Sequence, residues 1–203
     1  LPASSRKRAP LIIKTNDSDA TAGILNARSI DGDSAGIGGG YQGSGSCSNI
    51  IIDSCSVIAS SKYGAGIGGG KQGAGSKITI NSASVNASST DGAGIGGGLY
   101  GAGSGSDITI NSSSVTASST NGAGIGGGGY GAGSVSDITI KSSSVTATST
   151  HSAGIGSVGG TCSNIAISGG SVKAYSDRMP GINCTPHNGS SKNVYCCIIE
   201  NEH

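Results

Sequence analysis

The residues able to do chemistry are few and spread thinly along the chain. Among 203 residues there are 11 acidic and 12 basic side chains, for a formal net charge of +1. The candidate acids are Asp107 and Asp137, thirty residues apart. If the chain winds once in that interval, they stack at about 4.8 Å, near the carboxylate separation of a retaining glycosidase. Lys77 holds the same repeat position, however, and Asn49 and Asn164 complete the column without an Arg or His. The simpler reading is a row of polar residues opening strands, so no catalytic residue is assigned and the chain is expected not to be an enzyme. His151, His187 and His203 are scattered and no Cys-x-x-Cys pair occurs, so neither a metal site nor a cofactor is expected. The glycine runs lack the following helix that a phosphate-binding loop needs.

Six cysteines, Cys47, Cys55, Cys162, Cys184, Cys196 and Cys197, gather toward the ends. An even number placed this way predicts disulfides that staple the terminal regions, in an oxidising compartment. A Cys47–Cys55 bond, with two more tying Cys162 to the tail, is one arrangement; the connectivity stays open. Cys47 and Cys162 share a repeat position several coils apart and should not pair with each other. Sequons at Asn16, Asn86, Asn111, Asn183 and Asn188 are candidate glycosylation sites on a secretory route.

Composition narrows the architecture. There are 39 Gly, no Phe, no Trp and one Met, so a wide core filled by large side chains is excluded. Low net charge and regularly placed Ile, Val and Thr argue against disorder. A thin body with a narrow interior remains. No apolar run approaches the ~18 residues that span a bilayer, and direct membrane insertion is not expected. Arg6-Lys7-Arg8 reads as an exposed tail; nothing basic continues it, so no nucleic-acid partner is expected. A start at Leu1 fits a mature product whose leader has been removed.

Repetition sets the fold. Ala-Gly-Ile-Gly recurs around Ile37, Ile67, Ile95, Ile125 and Ile155, and Ile-x-Ile at Ile50, Ile78, Ile108, Ile138 and Ile165. From each Ile-x-Ile to the next Gly-Ile-Gly the distance is 17 residues, while the return distance varies between 10 and 13. One arc is thus fixed, and length changes fall in the loop after the glycine run, where a solenoid tolerates them. Each coil offers three strands: Asp107–Asn111 with Ile inward, Ser114–Ser118 with Val115 and Ala117 inward, and Ala123–Gly127 with Ala123 and Ile125 inward. The expectation is all-β: a single-stranded, three-sided parallel β-helix of about six coils of 27–30 residues. Residues 1–18 form an N-terminal tail and cap containing Leu11-Ile12-Ile13. Residues 19–175 form the helix, with a degraded first strand at Asp19-Ala20-Thr21-Ala22. Residues 176–203 form a cysteine-containing C-terminal cap.

Three surfaces are candidates for assembly or binding. Thr79, Thr109 and Thr139 line one face. Tyr100 and Tyr130 align just after the glycine run, with Tyr41 close to the same place. On the third face, Ile125 inward places Gly124 and Gly126 outward, as for Gly94, Gly96, Gly66 and Gly68. Outward glycine costs conformational entropy and packs nothing. Either the fit between coils requires it, or a flat side-chain-free face admits another sheet, another copy or a polymer.

The repeat, carried best by Gly92–Gly98 with Ile108–Ala117 and by Gly122–Gly128 with Ile138–Ala147, resembles right-handed parallel β-helix repeat proteins of extracellular surfaces. That resemblance covers Asp19 to Tyr175 and implies right-handedness. It is compatible with adhesins, spacers and surface fibres. The expected function is a non-catalytic secreted structural module that packs into an extracellular fibre, coat or matrix. Its partners would be copies of itself or other extracellular structural proteins. The alternative is an extracellular glycan-binding or adhesive module, with a polysaccharide-active enzyme or an ice-binding protein behind both.

Overall fold

The structure is a computed structural model that describes residues 9–15, 23–41, 45–100, 104–131, 133–157 and 159–183. Its strands are parallel and wind in stacked coils. On the first face lie β1 (Leu11–Lys14), β4 (Cys47–Asp53), β7 (Gly75–Asn81), β10 (Gly105–Asn111) and the first parts of β13 (Val135–Ser149) and β15 (Cys162–Ser176). The second face holds β2 (Ile24–Arg28), β5 (Ser56–Ser61), β8 (Ser84–Ser89), β11 (Ser114–Ser119) and the later parts of β13 and β15. Two-residue strands make the third face: β3 (Ile37–Gly38), β6 (Ile67–Gly68), β9 (Ile95–Gly96), β12 (Ile125–Gly126), β14 (Ile155–Gly156) and β16 (Ile182–Asn183). Six layers stack on that face, giving about five turns from first to last.

The register follows the sequence repeat. Ile78, Ile108, Ile138 and Ile165 form one ladder, and Val57, Val85, Val115, Val145 and Val172 another. With the third-face isoleucines they fill the interior. Burying each isoleucine stabilises the coil by roughly 1.5–3 kcal/mol, which is how a chain without Phe or Trp obtains a core. Period-two alternation turns Thr and Ser outward from the same strands.

Both helix boundaries move relative to expectation. Leu11-Ile12-Ile13 is not a separate cap: it pairs with Ile50–Ile52 as the first strand of the first coil. The stretch Asp19–Ala22 expected there lies outside the described residues. At the other end β16 pairs with β14 through Ile182 and Asn183, so the coil continues past residue 175.

Two columns of left-handed backbone shape the coil. One contains Asn49, Lys77, Asp107, Asp137 and Asn164, with φ between 51° and 62°. The other contains Ser54, Ser82, Ser112, Ser142 and Gly169 at the corner between the first two faces. Asn and Asp tolerate this conformation better than other non-glycine residues. The carboxylates Asp107 and Asp137 thus stand where a bulge in the strand requires their backbone, beside asparagines that serve the same purpose.

The third face overturns one expectation. Gly66, Gly68, Gly94, Gly96, Gly124 and Gly126 are all buried. A Cβ on Gly96 would lie 2.0 Å from the Gly126 carbonyl oxygen, and one on Gly94 would lie 2.8 Å from the Ser118 amide nitrogen. These glycines therefore do not form an exposed face. They let successive coils pack backbone against backbone, with φ near 135° at Gly68, Gly96 and Gly126.

Candidate functional site

The corner leading into the third face is built by serine. Ser119 Oγ accepts from the Gly122 N–H (2.9 Å) and donates to Gly92 O of the coil below (2.6 Å). Ser89 and Ser149 make the equivalent pairs. Each serine closes a tight turn and hooks it to the neighbouring coil, satisfying buried backbone groups. The residue two positions after each serine is carried to the edge. This column reads Tyr63, Asp91, Asn121 and His151, preceded by Asp33 two residues before Ala35. Ser176, in register with Ser149, accepts from the Met179 N–H at 3.0 Å and places Arg178 next in line. A polar edge thus runs through every coil, acidic at Asp33 and basic at Arg178.

The loop after each glycine run is pinned to this edge. The Lys71, Leu99 and Gly129 amides donate to Asp33 O, Tyr63 O and Asp91 O at 2.7, 2.8 and 2.8 Å. Leu99 is buried beneath. Gln72, Tyr100 and Tyr130 follow in left-handed backbone, with φ of 66°, 62° and 55°. A bulky residue there costs roughly 1–2 kcal/mol. Tyr100 and Tyr130 nonetheless keep exposed rings, with centroids 6.2 Å apart and planes tilted by 44°.

Hydrogen bonds order the edge beside these rings. Asn121 Nδ2 donates to Asp91 Oδ1. That bond turns Asn121 Oδ1 toward His151 Nδ1 at 2.8 Å, so Nδ1 carries a proton and donates it to the amide oxygen. Asn121, Tyr130, His151 and Arg178 line one shallow pocket of about 330 Å³. At the other end of the edge Lys71 Nζ pairs with Asp33 at 3.0 Å and lies 4.9 and 5.2 Å from the Tyr63 and Tyr41 ring centroids. Asp33 raises the Lys71 ammonium above its ordinary pKa, and the Tyr63 hydroxyl does the same for Lys62.

The remaining candidates separate. Thr79, Thr109 and Thr139 are in register and half-buried, between Ile51 and Ala166. Tyr41 stands one position from the Tyr100–Tyr130 column. Asn86 is exposed on β8. Asn111 gives its amide to Asn81 Oδ1 (3.1 Å), and Asn183 gives its own to Ser157 O (3.0 Å). Asn16 and Asn188 lie outside the described residues, as do Cys184, Cys196 and Cys197.

The expected Cys47–Cys55 bond is not present. Cys55 is a buried free thiol whose Sγ donates to Ile13 O at 3.6 Å. Cys47 opens the seven-residue β4 and Cys55 follows its far end, some 20 Å away by strand rise, whereas a disulfide needs Cα atoms within about 7 Å. Cys162 is buried at the start of β15, opposite Val135.

The sequence pattern did not single out the Asp91–Asn121–His151–Arg178 edge. Its signal was positional: polar residues two places before each Ala of Ala-Gly-Ile-Gly. No group of three or more acidic, His or Cys side chains able to hold a metal occurs among the described residues. Nor is any described helix long and apolar enough to cross a membrane.

The sequence profile of the Beta helix repeat family matches residues 50–71, 78–99, 108–129 and 138–160. These segments coincide with the coils built from β4 to β14, and the chain is a β-helix repeat protein. No curated protein and no solved structure matches the chain.

Proposed function

We propose that the chain is a non-catalytic extracellular module that binds glycan along the tyrosine-bearing edge. The observation that carries this reading is the Tyr100–Tyr130 pair. Two exposed rings on successive coils are held in costly left-handed backbone beside an ordered row of hydrogen-bonding side chains. Backbone strain of this sort persists where the surroundings impose it and gathers at ligand sites. Aromatic faces stack on the apolar faces of sugar rings, while Asn121 and His151 offer donors and acceptors to hydroxyls. The coil rise of about 4.8 Å is close to the repeat of an extended pyranose chain, so successive rings can meet successive sugars.

The test is a glycan array probed with the parent chain and with Tyr100→Asn/Tyr130→Asn. Asparagine keeps the left-handed backbone available, so the fold should persist by circular dichroism. Binding should fall by roughly tenfold or more, the equivalent of 1.4 kcal/mol. Undiminished binding in the double variant would place the site elsewhere.

A second reading, packing into an extracellular fibre, coat or matrix, draws support from the first coil. There Leu11, Ile12, Ile24 and Leu25 are exposed at the terminal strands, and an open strand edge invites pairing with a second copy. Sedimentation across a concentration series would reveal such self-association, and a monomer at every concentration would exclude it.

A further inference from the structure

Resting on the glycan-binding reading, we infer that the pocket at the basic end of the edge selects saccharides bearing an oxyanion group, a carboxylate or a sulfate ester. The pocket is lined by Asn121, Tyr130, His151 and Arg178. Arg178 is exposed, and its guanidinium is suited to bidentate recognition of a planar or tetrahedral oxyanion. The serine hook at Ser176 places it one layer beyond His151.

Along the edge the carboxylates are already paired. Asp33 is paired with Lys71, and Asp91 with the Asn121 amide. One of the two Asn121 amide hydrogens is therefore committed downward, toward Asp91, and the other stays free to donate. His151 Nδ1–H is spent on Asn121, which leaves Nε2 as the ring nitrogen available to a sugar hydroxyl. Arg178 brings a permanent positive charge to the residues lining this pocket. A sugar ring stacked on Tyr130 would place a ring substituent within reach of that charge.

The experiment compares three polymers with a common backbone: dextran, carboxymethyl-dextran and dextran sulfate. Affinities are read by titration calorimetry at fixed ionic strength for the parent chain, Arg178→Gln, Arg178→Lys and the distant control Lys173→Gln. The expected result is a preference of about tenfold or more for one or both charged polymers. That preference should vanish in Arg178→Gln, survive in part in Arg178→Lys and be unaffected in Lys173→Gln. Which charged polymer wins distinguishes carboxylate from sulfate. Equal binding of all three polymers would overturn the anion selectivity and leave glycan binding standing, and so would a preference that persists in Arg178→Gln. Failure to bind any of the three, together with a blank glycan array, would overturn the binding reading itself.

Discussion

Replacing Gly126 with alanine tests how the third face is packed. Gly126 has φ of 136°, and a Cβ added there would sit 2.1 Å from the Gly156 carbonyl oxygen of the next coil. Real Cβ atoms do not come within 3.0 Å of such an atom, so the neighbouring coil must retreat by most of an ångström. The backbone conformation alone costs an L side chain about 1–3 kcal/mol, and forcing atoms into a packed interior adds about 1–3 kcal/mol. A loss near 4 kcal/mol is therefore expected, a large share of the ~5–15 kcal/mol that holds a typical domain together. Gly40→Ala is the control, since nothing lies within 4 Å of its added Cβ; it should stay within about 0.5 kcal/mol. Urea unfolding followed by far-ultraviolet circular dichroism reads both variants, with midpoints compared at matched slopes. Because coils are coupled mainly to their neighbours, the transition can broaden as the stack splits at Gly126. A Gly126→Ala protein as stable as the parent would refute backbone-to-backbone packing and restore an open glycine face.

Two further outcomes follow from the same geometry. Lys77 occupies left-handed backbone at φ 55°, where the equivalent positions Asn49, Asp107, Asp137 and Asn164 carry Asn or Asp, so Lys77→Asn should raise stability by about 0.5–1 kcal/mol in the same urea assay. Burial pushes the Cys55 thiol pKa above its ordinary value, so Cys55 should alkylate more slowly than an exposed cysteine at pH 8, as read peptide by peptide in a mass spectrometer. A thiol with a raised folded-state pKa contributes its stability in full below the unfolded pKa and loses it as pH rises through the folded value. Through Cys55, unfolding midpoints should therefore not vary with pH near pH 7 and should fall above about pH 9, an effect absent in Cys55→Ala.

The core was legible because its determinants repeat identically. Ile108 and Ile110 alternate with Thr109 in a strand long enough for the period-two rule, and their ladder partners carry the same residues at the same offsets. The same rule misplaced Gly124 and Gly126. The third-face strand is only two residues long, and its glycines meet the end of the second face of the next coil, at Thr148 N. Which side lacks room there depends on the distance between coils, which residue alternation does not encode. Cys47 and Cys55 misled for a related reason. Proximity in sequence suggested a bond that an intervening extended strand forbids.

The edge proposed to bind glycan was hidden because its residues do not repeat. Core positions are alike from coil to coil because each must fit the same narrow interior, whereas Tyr63, Asp91, Asn121, His151 and Arg178 share one position and no chemistry. A search for repetition passes over such a column. The residues that build it do repeat: Ser89, Ser119 and Ser149 close identical turns and donate to identical carbonyls. Constant serine hooks fix where the edge lies, and the variable residue two places on decides what each layer offers. Under the proposed function, such a chain would change its ligand one coil at a time without disturbing its core. Exchanging Asn121 or His151 should then alter recognition at small cost in stability, whereas exchanging Ser119 or Ser149 removes the turn that presents them.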